Sequence, residues 1–518
     1  MAKGRLQNSL LNLTSGFLYR ILITITAFVV RTVFIKCLSE DYLGINGLYS
    51  NILSMLSLAE LGFGTAMVYS MYKPLAEKDY KTLSQLMQLY RKVYTIIGTV
   101  ILVLGLSLVP FLDVLIKNRP DVEGLTFYYI LFLLNTVISY WFFAYRNSIL
   151  QADQKAFVIS NYQSAFNLIK SALQFVLLLV FRNYTLYLLA QILCTIGQNI
   201  LIARKVKEKY PVFQPRQKES LPKSETKRIF KDVKALMLQK VSFTVLNSTD
   251  ALFISAFVGI NWVGLLSNYT IIEEAIVGIL SQVSGAISAS LGNYFVKEDR
   301  ESGYKLFKRV EFLNFWLYGF STIALIVLLS PFVELWLGKH FVLSTGIVCA
   351  LGCRFFVAGY MNTMSTFRST LGLFTQGQYR PLIAAFLNIV LSIGLSYKWG
   401  VAGVLAATSI TRLLVNMWHT PLVIHKDGFE KSVVPFYKQY IFRIILLGSM
   451  IYGLVVASNR FVFVNQVTIA KFIVAMAMVV VVPNLIFLIV FGRTKEFQYF
   501  YQLFQKMLRK IVKRSCSA

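Results

Sequence analysis

The chain has 518 residues, of which 56% are hydrophobic and only 15% are charged, and its mean hydropathy is +0.61. These values exclude an ordinary soluble domain and predict a polytopic membrane protein. The net charge of +28 does not indicate nucleic-acid binding, because a basic excess in a membrane protein usually belongs to its cytoplasmic loops.

Apolar segments long enough to cross a bilayer recur along the whole chain. We predict an all-α polytopic fold of about 14 transmembrane helices, at residues 10–37, 43–70, 93–116, 125–150, 158–181, 184–203, 234–258, 262–292, 311–336, 342–370, 380–398, 400–423, 437–458 and 466–492. Lysine and arginine concentrate in alternate loops, eleven of them between residues 204 and 234. This asymmetry predicts that both termini lie in the cytoplasm.

The two halves of the chain resemble each other at an offset of 220 residues. Asp41–Gly44 matches Asn261–Gly264, and Leu75–Asp79 matches Phe295–Asp299. Ordered matches at one spacing predict a duplicated six-helix unit. The predicted organisation is an N-terminal lobe at 1–203, a basic linker at 204–233, a C-terminal lobe at 234–424, two additional helices at 425–492 and a basic tail at 493–518.

Charged residues inside the apolar segments are the strongest functional signal, because a charge at mid-membrane costs roughly 2.5–3.5 kcal/mol on insertion scales. The basic members are Arg20, Arg31, Arg146, Lys170, Lys240, Arg354 and Arg368, and the acidic members are Glu60, Asp250, Glu273 and Glu274. The structural interpretation pairs some of them, for example Glu60 with Arg31. Because cations exceed acids by seven to four, we predict a hydrated cationic cavity that binds an anionic group. Its candidate residues are Arg20, Arg31, Lys240, Arg146, Arg354 and Arg368.

Three short segments carry a family resemblance: Asn8–Asn12, Asp41–Gly44 and Ala59–Gly64. They resemble the polysaccharide biosynthesis flippases of the Wzx type, which share the MOP superfamily with MATE exporters and MurJ-type lipid II flippases. Glu60 departs from the aspartate more usual at that position in the family. The resemblance implies two six-helix lobes around a central cavity lined by helices 1, 2, 7 and 8. Beside the two additional helices it implies a groove for a lipid tail.

The resemblance also implies a function. An undecaprenyl-pyrophosphate-linked oligosaccharide would move from the inner to the outer leaflet by alternating access, for capsule or O-antigen-like synthesis. The membrane potential or a gradient of H⁺ or Na⁺ would supply the energy. Glu60, Asp250, Glu273 and Glu274 are the candidates for ion coupling or gating. The expected partners are this anionic lipid-linked substrate, bacterial membrane lipids, and the polymerase and glycosyltransferases of the same pathway, with no cofactor and no metal.

Two other functions remain open at this point. A cation-coupled multidrug exporter of the MATE type would need an acid-dominated cavity, whereas basic residues dominate here. A membrane-embedded polysaccharide polymerase or acyltransferase would show a large external loop or a catalytic His/Asp pair, and the sequence has neither. A Walker phosphate loop is also absent, so we expect neither an enzyme nor an ATP-driven pump.

Overall fold

A computed structural model of the chain describes most of its residues. They are 21–60, 63–117, 122–153, 155–210, 221–222, 224–227, 229–230, 233, 244, 246, 248–297, 300–373, 376–377, 379–464, 466–503 and 505. Side chains at 58–59, 65, 156, 283 and 285–297 lie outside this description. The predicted site residues Arg20 and Lys240 lie outside the described residues.

The described ranges are helical and contain no strand, as the sequence predicts. The helices are α1 (21–37), α2 (Glu40–Leu56), α3 (Phe63–Ala76), α4 (Tyr80–Ser107), α5 (Leu112–Leu115), α6 (Leu125–Trp141), α7 (Asn147–Ala152), α8 (Ala156–Phe181), α9 (Tyr184–Lys209), α10 (Ser248–Val258), α11 (Ile260–Lys297), α12 (Arg300–Leu337), α13 (Thr345–Thr370), α14 (Arg380–Thr411), α15 (His419–Val423), α16 (Val434–Ala457), α17 (Ile469–Phe491) and α18 (495–503).

Several of these helices have the length and apolarity needed to cross a bilayer. Nine do so in the part of the chain that the structure describes, and a tenth is formed if α6 and the bent segment Ala144–Ala152 are one span. The bend between those two segments is 43°. The chain is therefore a multi-pass membrane protein.

Local chemistry explains where several helices begin and break. Asp79 caps α4: its carboxylate accepts hydrogen bonds from the Thr82 amide at 3.0 Å and the Thr82 hydroxyl at 2.6 Å. Asn183 caps α9 in the same way, through the amide of Leu186 at 3.2 Å. Gly400 interrupts α14 with a φ of 55°, a conformation that favours glycine. This break lies at the predicted boundary between two spans.

The helices divide into two compact units. The first comprises residues 1–267 and 381–400, and the second comprises 268–380 and 401–518. In the first unit, α8 packs on α9, and α6 packs on α4 and α9. A methyl group on Gly264 would lie 2.9 Å from the backbone nitrogen of Gly44, so the two chain segments approach as closely as glycine allows. Gly44 and Gly264 are also the two glycines that the 220-residue offset pairs. The duplication itself and the boundaries of the two lobes stay predictions.

In the second unit, α12 is the central helix and contacts α13, α16 and α17. Gly359 of α13 lies against the ring of Tyr318, and a methyl group there would be 1.9 Å from two ring carbons. The indole of Trp316 donates to the Asn484 side chain of α17 at 2.9 Å. Close small-residue contacts and polar cross-links are the usual means of packing helices in lipid.

Candidate functional site

Glu60 lies in a turn between α2 and α3 and is held by tyrosines. The hydroxyl of Tyr94 donates to its Oε1 at 2.8 Å, and that of Tyr140 donates to its Oε2 at 3.3 Å. Tyr90 in turn donates to the Tyr94 hydroxyl at 3.0 Å. No basic side chain in the described ranges forms an ion pair with this carboxylate. Neutral hydroxyl donors thus solvate the Glu60 carboxylate.

The glycine that follows Glu60 by four residues has a steric reason. A Cβ atom on Gly64 would lie 3.1 Å from Glu60 Oε1 and 3.0 Å from the hydroxyl of Tyr90. Any larger residue would therefore press on the carboxylate and on its hydrogen-bond network. This packing accounts for one of the two glycines in the Glu60–Gly64 segment.

Arg31 lies on α1 and contacts hydroxyl-bearing side chains of the same unit. Its guanidinium donates to the Ser267 hydroxyl, which donates onward to the carbonyl of Gly264 at 2.6 Å. It also interacts electrostatically with Tyr184 and Tyr187 at the beginning of α9. The structure thus places Arg31 among tyrosines and serine, while Glu60 has a separate tyrosine environment.

Arg354 and Glu273 form an ion pair in the second unit. The distance from Arg354 Nη2 to Glu273 Oε2 is 2.6 Å, and the two side chains are 16% and 12% exposed. The sequence assigned one residue to the cationic cavity and the other to ion coupling. Each side chain therefore neutralises the other, so a mechanism that uses either residue involves both α11 and α13.

Arg146 and Arg368 both donate hydrogen bonds to backbone carbonyls. Arg146 Nη1 donates to the carbonyl of Ala203 at 3.1 Å, and its guanidinium lies 4.8 Å from the ring centre of Phe143. Arg368 Nε donates to the carbonyl of Leu373 at 2.8 Å. Both contacts tie a helix end to a neighbouring segment. Their predicted role in substrate binding stays a prediction.

The other described candidates are less clustered. Asp250 is 4% exposed on α10, next to Thr249, whose hydroxyl lies 3.3 Å from the side-chain oxygen of Asn388. Glu274 is exposed on α11, and Lys170 is half-buried at the middle of α8. The described residues contain no group of three His, Cys, Asp or Glu side chains that could hold a metal ion.

The second unit also contains a buried charged cluster that the sequence did not predict. Arg443 of α16 pairs with Glu311 of α12, and the hydroxyl of Tyr360 on α13 donates to the same carboxylate oxygen. The Arg443 guanidinium lies 4.8 Å from the ring centre of Phe315. The position of Arg443 inside a predicted apolar span is the sequence signal that could have revealed this cluster. Glu311 gives a weaker signal, because it lies at the edge of a predicted span.

Comparison with known proteins assigns the chain to a family. The family model described as "Polysaccharide biosynthesis protein" matches residues 6–291, which is more than half of the chain. The chain belongs to the polysaccharide biosynthesis protein family. This match confirms the expected family resemblance, and the matched region includes the segment around Glu60. No curated protein sequence matches the chain.

Solved structures of MOP-superfamily transporters share the fold. The lipid II flippase MurJ in an inward closed conformation has 17% identity and a TM-score of 0.64, over 91% of this chain and 99% of that one. An inward-facing multidrug resistance MATE family transporter has 15% identity and a TM-score of 0.56, over 84% and 98%. A MOP superfamily transporter from Pyrococcus furiosus has 14% identity and a TM-score of 0.50, over 82% and 96%. At these identities the likeness shows the fold of a polytopic helical membrane protein.

Proposed function

We propose that this protein is a flippase that moves a polyprenyl-pyrophosphate-linked oligosaccharide from the inner to the outer leaflet of a bacterial cytoplasmic membrane. The observation that carries the proposal is the family match over residues 6–291, since that family is described by polysaccharide biosynthesis. The fold adds support, because one of the structural relatives is a flippase for lipid II. The product would be a repeat unit for a capsule or an O-antigen-like glycan.

The intramembrane charges fit an anionic substrate better than a cationic drug. Among the four acids that the sequence singled out, Glu273 is paired with Arg354 and Glu60 is bound by tyrosine hydroxyls. Lys170 has no ion pair among the described residues, so part of the cationic surplus persists after folding. Arg20, Arg31 and Lys240 are proposed to bind the pyrophosphate. Each guanidinium offers two parallel hydrogen bonds to phosphate oxygens, and the lysine ammonium adds a compact positive charge.

Glu60 is the best-placed candidate for coupling to an ion gradient. Its carboxylate accepts from two tyrosines, and these neutral donors leave its charge to be balanced by H⁺ or Na⁺ during alternating access. Asp250 and Glu274 remain further candidates. The proposed orientation has both termini in the cytoplasm, as the distribution of lysine and arginine indicates.

The decisive experiment is leaflet-specific labelling of lipid-linked intermediates in cells that lack the gene. We expect complete repeat units to accumulate on the inner leaflet and the wild-type gene to reverse this. A gene carrying Arg20→Gln with Lys240→Gln should fail to reverse it at equal protein level. If complete units reach the outer leaflet normally and the cells become sensitive to cationic dyes, the protein is an exporter and the proposal is wrong.

A further inference from the structure

A polar stripe runs along one face of α8, from Ser160 to Gln174. Its members recur every three or four residues and therefore share one face: Ser160, Gln163, Ser164, Asn167, Lys170, Ser171 and Gln174. The first and last members are 14 residues apart, which is about 21 Å along the helix at 1.5 Å per residue. That length is roughly two thirds of the ~30 Å hydrocarbon core of a bilayer.

The opposite face of α8 has the character expected of a lipid-facing surface. Ile169, Leu173 and Val176 are apolar, and their exposed fractions are 48%, 44% and 52%. Moreover, α8 is the least buried of the candidate spans in the described part of the chain. The helix thus presents a lipid face on one side and a polar stripe on the other.

The polar groups of the stripe have few hydrogen-bond partners among the residues that the structure describes. Gln174 donates to the carbonyl of Tyr187 at 3.2 Å, and Ser164 donates to the carbonyl of Ser160 one turn earlier. The side chains of Gln163, Asn167 and Ser171 make no hydrogen bond with any residue that the structure describes. Bare amide groups are costly in hydrocarbon, which favours water or a polar ligand at these side chains.

A cation stands within this stripe. Lys170 is half-buried, and its electrostatic neighbour is the thiol of Cys194 on α9 rather than a carboxylate. Cys194 and Tyr187 are seven residues apart and lie on the same face of α9, which places them about 10 Å apart along the helix. Since Arg31 is beside Tyr187, two cations flank one face of α9 at different depths.

We propose that the polar face of α8 is a saccharide-binding track, on which Gln163, Asn167 and Ser171 bind sugar hydroxyls and Lys170 binds an anionic group. The anion is a sugar carboxylate or a phosphate of the same lipid. Amides and hydroxyls both donate and accept, which matches the hydroxyl groups of a sugar. This inference rests on the proposed flippase function and adds the residues that would contact the sugar part of the substrate.

The first test compares substitutions of Lys170 in cells that lack the chromosomal gene. Because a hydrogen bond to a charged group contributes about 1.5–3 kcal/mol and 1.4 kcal/mol is a factor of ten, Lys170→Met should reduce the transfer rate about tenfold or more. Lys170→Arg should retain most of the rate, and Ile169→Met on the lipid face is the matched control. Wild-type transfer by Lys170→Met at equal protein level would overturn the assignment of Lys170.

The second test asks whether the stripe meets water and substrate. Single cysteines at Gln163 and Asn167, in a cysteine-free background, should react with a charged methanethiosulfonate reagent, whereas Leu173→Cys should not. Lipid-linked oligosaccharide extracted from the deletion strain should protect both positions, and polyprenyl pyrophosphate alone should not. Absent labelling, or labelling that the oligosaccharide does not reduce, would contradict a saccharide track.

Two further comparisons separate the outcomes. Assaying Lys170→Met with a neutral saccharide on the same lipid identifies the anion: a persistent defect indicates phosphate, and a lost defect indicates a sugar carboxylate. If gene deletion causes inner-leaflet accumulation but the Lys170 and cysteine tests both fail, only the saccharide track is wrong. If deletion causes no accumulation, the proposed function itself fails.

Discussion

Replacing Arg443 with methionine should destabilise the second unit far more than the loss of an exposed ion pair would. Arg443 and its partner Glu311 are only 7% and 5% exposed, and they join α16 to α12. Methionine has a similar reach and suits the surrounding phenylalanine rings, so the main effect is a buried carboxylate left without its cation. Among the described residues, the Tyr360 hydroxyl would be the remaining partner of Glu311.

Breaking a buried pair by removing one partner typically costs about 3–5 kcal/mol, whereas exposed pairs contribute about 0–1 kcal/mol. We therefore expect Arg443→Met to lower the free energy of unfolding by about 3 kcal/mol or more. The matched control is Arg300→Gln, since Arg300 pairs with Glu430 in the same unit and the two side chains are 67% and 70% exposed. The measurement is reversible unfolding in mixed micelles, followed by tryptophan fluorescence.

A double-mutant cycle tests the physical cause of this loss. Glu311→Gln removes the charge but keeps a carbonyl oxygen for the Tyr360 hydroxyl. Combined with Arg443→Met, it should recover at least half of the lost free energy, because no isolated charge then remains buried. The reasoning is refuted if Arg443→Met costs no more than Arg300→Gln, or if the two substitutions at the buried pair are simply additive.

Two further predictions concern packing and pH. Gly359→Ala should lower the free energy of unfolding by about 1–3 kcal/mol, because the added methyl group overlaps the Tyr318 ring. Gly346→Ala in the same helix is the control: its methyl group meets no atom within 4 Å, so it should be nearly neutral. Equal unfolding free energies for the two variants would contradict this prediction. Hydrogen bonds from Thr82 hold the pKa of Asp79 below its usual value. The ionised cap therefore stabilises the fold fully at pH values above the unfolded pKa of about 4. This stabilisation is lost as the pH falls through the lower pKa of the folded state. The stability difference between wild type and Asp79→Ala should accordingly shrink in acid, and a pH-independent difference would refute the assignment.

The partners of the intramembrane charges show where sequence reasoning stopped. Glu60 was recognisable as an acid inside an apolar segment, and Arg31 was the natural partner to consider. The structure instead brings to Glu60 the hydroxyls of Tyr94 and Tyr140, which lie 34 and 80 residues further along the chain. Local patterns do not encode which helices become neighbours, so the choice between an ion pair and a tyrosine site required the fold.

The buried pair in the second unit illustrates the same limit. Arg443 stood alone in an apolar segment, and its partner Glu311 is 132 residues away, at the edge of another. The sequence predicts different roles for Arg354 and Glu273, although the fold joins them in one ion pair. A count of charges along the chain predicts a cationic surplus, but only packing determines which cations are neutralised.

The sequence alone determined the all-α membrane architecture, because apolar length and the alternation of basic loops follow directly from the thickness and polarity of a bilayer. It also determined the family, through short segments around Glu60 and the match over residues 6–291. Only the tertiary structure decided which intramembrane groups meet, since contacts between helices depend on the side chains of both partners. The polar face of α8 combines both: its spacing is visible in the sequence, whereas only the fold shows that Gln163 and Asn167 make no side-chain hydrogen bond with the described residues.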